Sequence, residues 1–219
     1  MLITYNPQSD KISDTITQTQ TITNIKIENN SINILPDSII EFKKVRHIHF
    51  VLNSDIKNIN ILNKLADLTY VSIFGYLPTS LNYLPFNLLK ILFSTYYYNN
   101  MNPKLNYLPH KLCMLDLHLK SEILNNKLID KLPSNLNNLY ICRIKCNNIV
   151  NLPSSLLVLF ISYIDYLNIL QIPNLINHLY IRNINANICI FKNEIIQKLN
   201  YDEILNMAKN YIIRNKLKY

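Results

Sequence analysis

Four of the five histidines, His47, His49, His118 and His178, together with Ser94 and Asp116, are the side chains whose types could carry chemistry. Imidazoles move protons near neutral pH and ligate metals. A serine, a histidine and an aspartate brought together supply a nucleophile, its base and an orienting carboxylate. The spacing favours neither use. Zinc needs three or four ligands converging on one point, whereas His47 and His49 lie three repeats from His118 and further from His178. Ser94, Asp116 and His118 fall on adjacent repeats, but no oxyanion-hole element accompanies them. Cys113, Cys142, Cys146 and Cys189 fit neither zinc spacings nor a dense disulfide framework, so reduced thiols in an intracellular, cytoplasmic chain are expected. No metal, no cofactor and no catalysis are expected.

The binding candidates are different in kind. Tyr140, Phe160 and Tyr180 recur at steps of 20 residues, beside His178 and Arg182. Aromatic and arginine side chains dominate interface hot spots because they bury much area with few rotors to freeze. A structural cross-strand stack would use the same rings and is compatible with binding. Base stacking on such a row is chemically conceivable, but the neighbouring positions lack a Lys/Arg rail, which argues against nucleic acid.

What must position these residues is a repeat. An apolar triplet spaced LxxLxL occurs eight times, from Ile22-Ile25-Ile27 through Leu136-Leu139-Ile141 and Leu156-Leu159-Ile161 to Ile176-Leu179-Ile181, at steps of 20 to 24 residues. A period in this range predicts a stacked solenoid. Within each triplet the last two members are two apart, so they share one face of a short strand, and the strands are expected to stack as a parallel sheet on a concave face. Short turns or helical segments would return the chain along a convex face. Five Leu-Pro or Ile-Pro pairs place their proline three residues before a triplet, at Pro85, Pro109, Pro133, Pro153 and Pro173. Proline fixes its own dihedral and extends its predecessor, so each is expected to turn the chain with the apolar residue before it held inward. Phe42 and Leu65 occupy the proline position in two N-terminal repeats, where Pro36 is out of frame by six residues.

Aligned on the triplets, the residues alternating with the buried pair form columns on the exposed strand face. The central column reads Lys26, His49, Ser72, Leu92, Asp116, Tyr140, Phe160, Tyr180. One flank carries Asn24, His47, Tyr70, Lys90, Met114, Asn138, Val158 and His178, the other Glu28, Val51, Phe74, Ser94, His118, Cys142, Ser162 and Arg182. A solenoid needs its ends covered. Residues 1–20, with alternating threonines in TITQTQTITN, are expected to supply an N-terminal capping strand, and 21–190 the solenoid. The helical spacing of Ile204, Leu205, Ala208, Tyr211 and Ile212 predicts a C-terminal α-helical cap within 191–219.

Composition bounds the rest. The chain has 219 residues and a formal charge of +8, but its 22 basic residues are scattered, and the densest group (Lys209, Arg214, Lys216, Lys218) suits a solvated helix end. With one glycine, a glycine-rich phosphate cradle is excluded. No apolar run approaches membrane-spanning length, and the N-terminus lacks the pattern of a secretory signal.

The shared signature, LPxxLxxLxL, is seen in LPSNLNNLYI at 132–141 and LPSSLLVLFI at 152–161, with LPTSL at 77–81. Over roughly residues 65–182 it resembles the FNIP repeat, a relative of the leucine-rich repeat in social amoebae and giant DNA viruses. Residues 22–36, ITNIKIENNSINILP, resemble a general leucine-rich repeat. The resemblance implies a non-enzymatic module that binds a protein partner on its concave strand face, in a host cytoplasm if the chain is viral. It also implies an alternative, a substrate-recruiting adaptor of a ubiquitin ligase. The F-box such an adaptor needs would begin at LPDSIIEF, Leu35 to Phe42, but Val45, Ile48 and Phe50 return at once to strand spacing, so an intact F-box is not expected. A structural subunit contacting partners through its convex side or terminal helix is the remaining alternative.

Overall fold

The computed structural model describes residues 2–5, 22–29, 34–76, 84–94, 107–118, 131–142, 148–164, 169–184, 188–192 and 195–199. The chain is a parallel β-solenoid with little helix, divided into two compact units, Met1–Leu112 and Cys113–Tyr219. In the first unit, β1 (Leu2–Tyr5), β2 (Asn24–Asn29), β3 (His47–Leu52), β4 (Tyr70–Gly75) and β5 (Lys90–Ser94) pair in sequence order, all parallel. The second unit contains β6 (Met114–His118), β7 (Asn138–Cys142), β8 (Asn148–Ile149), β9 (Val158–Ile164), β10 (Ile169–Gln171), β11 (His178–Ile184), β12 (Ile188–Lys192) and β13 (Ile195–Leu199). Its main sheet pairs β6, β7, β9 and β11 in parallel.

The triplets set the register. Ile25 pairs with Ile48, Ile48 with Val71 and Val71 with Ile91, while Ile27, Phe50, Ile73 and Phe93 form the parallel column two residues on. These side chains are almost completely buried. In the second unit Leu115, Leu139, Leu159 and Leu179 continue in the same manner. A slip of one residue would turn every apolar side chain to the other face, so the alternation itself specifies the pairing.

The turns before β3, β4, β5, β6, β7, β9 and β11 are closed by one repeated bond. The Leu112 N–H donates to Pro109 O (3.0 Å), and Leu88, Leu136, Leu156 and Ile176 bond in the same way to the prolines three residues back. Proline suits this place because its carbonyl is used and its missing N–H is not required. Phe42 and Leu65 make the equivalent bonds to Val45 and Leu68, so the bond geometry of the turn survives without proline. The following two N–H groups then share one carbonyl of the preceding coil: Thr69 and Tyr70 donate to Arg46 O, and Leu157 and Val158 to Asn137 O. Leu84, Leu108 and Ile172 are held inward as expected before proline. Leu132 and Leu152 are only half-buried, the following Pro133 and Pro153 being the buried members of those pairs.

The out-of-frame Pro36 precedes a 3-10 helix, Asp37–Glu41, and a second one spans Ile59–Lys64. Asn58, just ahead of the second helix, replaces a missing backbone partner. Leu35 N–H donates to Asn58 Oδ1 (2.6 Å), and Asn58 Nδ2 donates to Leu35 O (2.9 Å). Leu35 is buried, and both of its main-chain groups are thereby satisfied by one amide, 23 residues away. The short helix returns to strand at His47, which leaves no room within the described residues for the helical F-box considered above.

Gly75 ends β4 with a φ of 92°. Tyr76 N–H then donates to Leu52 O (2.8 Å), the carbonyl of its neighbour on β3. The chain's single glycine stands where a Cβ would collide with that same oxygen.

Within the expected capping segment 1–20, the strand Leu2–Tyr5 pairs with β2, while the threonine-rich stretch lies outside the described residues apart from its last positions. Residues 188–192 and 195–199 are extended: β8, β10 and β12 form a second parallel sheet, and β13 joins it antiparallel to β12. The predicted helix beyond 200 lies outside the described residues. Among those residues, no helix is long and apolar enough to cross a membrane.

Candidate interaction surface on the strand face

The register brings the aromatic residues into one row. Tyr140 pairs with Phe160, and Phe160 with Tyr180. The Phe160 and Tyr180 rings stack with centroids 4.7 Å apart and planes within 5°, while Tyr140 meets Phe160 at 6.1 Å and 34°. Each such pair contributes about 0.5–1.5 kcal/mol beyond its buried area. Tyr140 and Phe160 are half-buried, and Tyr180 is 43% exposed. His178 is exposed two residues before Tyr180 on β11. Arg182 stands opposite Ser162 in the register, its side chain lying outside the described residues.

The third column is less open than the alternation implied. Ser94, Cys142 and Ser162 are buried, as is Ser72 in the central column. Small side chains at these positions let neighbouring groups close over them. Neither Cys113 nor Cys142 is in a disulfide among the described residues.

In the first unit the histidines converge on a group that residue type alone did not single out. His47 Nε2 lies 3.2 Å and His49 Nδ1 2.8 Å from the Ser72 hydroxyl. His47 stacks on Tyr70 at 4.1 Å and 9°, and His49 packs against Phe74 at 4.8 Å. Burial, aided by the charge of His49, holds the His47 pKa below its ordinary value of about 6.5. Burial also lowers that of His49, with Lys26 reinforcing the effect and Glu28 opposing it. The signal for this cluster was present in the columns, since His49 and Ser72 are register partners.

Asp116 and His118, on β6, do come together. His118 Nε2 is 2.9 Å from Asp116 Oδ1, an oxygen sealed from solvent that has no other polar partner among the described residues. Hydrogen bonding to Asp116 raises the His118 pKa, burial lowers it, and the carboxylate's charge raises it further, with a net upward shift. Ser94 belongs to the other unit and is buried there. The signs have opposite consequences for stability. The His118 contribution is complete below about pH 6.5 and is lost as pH rises through its raised folded-state pKa. The His47 and His49 contributions are complete above about pH 6.5 and are lost as pH falls toward their lowered values. Asp116→Asn is expected to bring the His118 titration, followed by its Cε1–H resonance, back toward its ordinary value; an unchanged midpoint would show that the carboxylate does not set it.

A shallow groove of about 490 Å³ runs along the strand starts of the first unit, lined by Arg46, Asp67, Thr69, Asn87 and Lys111 among others. Part of its polar lining serves the fold: Thr69 Oγ1 donates to Arg46 O, and Asn87 Nδ2 to Ala66 O. No group of three or more His, Cys, Asp or Glu side chains among the described residues could hold a metal ion. Comparison with models of known protein families gives no match, and comparison with curated proteins gives none.

Proposed function

We propose that this chain is a non-enzymatic protein–protein interaction module that binds its partner on the exposed strand face, centred on Tyr140, Phe160 and Tyr180. The observation that carries this reading is the aligned aromatic row, half-buried at one end and open at Tyr180. Phe160 stacks on Tyr180 and holds it in place, so little side-chain entropy remains to be lost when a partner covers it. His178, on the same strand as Tyr180, supplies a polar group beside the aromatic row, and Arg182 follows Tyr180 by two positions in the sequence. A leucine-rich-repeat lineage with an FNIP-like signature is the family reading we favour, on LPSNLNNLYI and LPSSLLVLFI.

A second reading, in which the chain is a structural or adaptor subunit touching partners through its turns, draws on Ile34, Phe86 and Leu175, each about 60% exposed in the segments between strands. One experiment separates the two. The triple variant Tyr140→Ala, Phe160→Ala, Tyr180→Ala, confirmed to be folded by circular dichroism, is expected to weaken a partner captured by the unmodified chain at least tenfold. Unchanged affinity would reject the strand-face reading and favour the turns.

A further inference from the structure

We propose that His47, His49 and Ser72 form an acid-released latch across β3 and β4. The argument is one of hydrogen-bond stoichiometry. A serine hydroxyl has one donor and two lone pairs, and a neutral imidazole has one donor and one acceptor. With both rings neutral, Ser72 donates to one imidazole nitrogen and accepts from the N–H of the other, which satisfies both contacts at 2.8 and 3.2 Å. With one ring protonated the arrangement still closes, because the imidazolium donates to Ser72 and the hydroxyl donates to the remaining neutral ring.

The second proton breaks it. Both rings are then donors only, and the hydroxyl hydrogen has no acceptor between them. Ser72 is 2% exposed, so water does not easily take over that hydrogen. Two cations also face one another with ring centroids 6.5 Å apart.

The surrounding groups give little relief. From β2, Asn24 stands opposite His47 and Lys26 opposite His49, with Glu28 two residues further along. Glu28 is the one anion there, and it is already engaged in an ion pair with Lys26. From β4, the cluster meets the Tyr70 ring, Ser72 itself and the Phe74 ring, none of them anionic near neutral pH. Acidification below the ordinary imidazole range therefore expels one ring from Ser72 toward solvent. That move uncovers the Ser72 hydroxyl and, where His47 leaves, one face of Tyr70.

The test uses the full chain. Between pH 7.5 and 5.5, where carboxylates stay ionised, the melting temperature is expected to fall by about 2–4 °C, the shift that about 1 kcal/mol produces in a chain of this size. In the double variant His47→Gln, His49→Gln the fall is expected to be less than half as large. An equal fall would overturn the latch. Should the double variant not fold, the Cε1–H titrations of the unmodified chain decide: two coupled steps, the second well below pH 6.5, support it, and two independent titrations at or above the ordinary value overturn it.

Discussion

Gly75→Ala is expected to destabilise the first unit by about 2–5 kcal/mol, combining the cost of a non-glycine residue at positive φ with that of forcing an atom into occupied space. The second term dominates here. At a φ of 92°, a Cβ on residue 75 would meet the backbone carbonyl of Leu52, which cannot rotate away as a side chain would. That oxygen also accepts the Tyr76 N–H, so moving it breaks the bond that closes the end of β4 against β3. Asparagine, which ordinarily tolerates left-handed backbone, should therefore fare no better than alanine. Urea denaturation of Gly75→Ala and Gly75→Asn tests this, and a midpoint restored by asparagine would assign the cost to the dihedral alone.

Phe50→Ala is expected to cost about 3–5 kcal/mol, the range for removing a fully buried phenylalanine from a core that relaxes only partly. Phe50 lies between Ile27 of one coil and Ile73 of the next in a single column, and all three are essentially inaccessible. In a stacked array each coil is stabilised mainly by its neighbours, so the cavity weakens two interfaces together. Phe50→Leu keeps most of the volume and should cost less than half as much. Equilibrium denaturation of the two variants measures the difference. A loss below about 1 kcal/mol for alanine would mean that the column is not packed as described.

The strands, the parallel register and the proline turns were legible because each rests on local spacing. Leu136, Leu139 and Ile141 declare a turn and a strand by themselves, and neighbouring coils copy them. Features that depend on which residue of another coil lies opposite were harder to read. Asn58 is one asparagine among many until Leu35 is placed against it, and nothing in ITNIKIENN marks Leu2–Tyr5 as the strand that β2 pairs with. The strands β8 and β10 are two and three residues long, too short to show alternation, although Ile149 and Leu170 are fully buried. At the candidate site, the aromatic row could be read directly from its spacing of 20 residues. The burial of Ser94, Cys142 and Ser162 could not, because alternation says which face a residue points to and not how deeply its neighbours cover it.

The most direct measurement of the strand-face account is hydroxyl-radical footprinting of the unmodified chain, alone and with a captured partner. Free, Tyr180 should be modified faster than Tyr140 and Phe160, in keeping with its 43% exposure at the open end of the row. With the partner bound, modification of Tyr180 should fall several-fold while that of Phe86, in the turn before β5, stays unchanged. Protection of Phe86 with Tyr180 still fully reactive would contradict the account and place the partner on the turns.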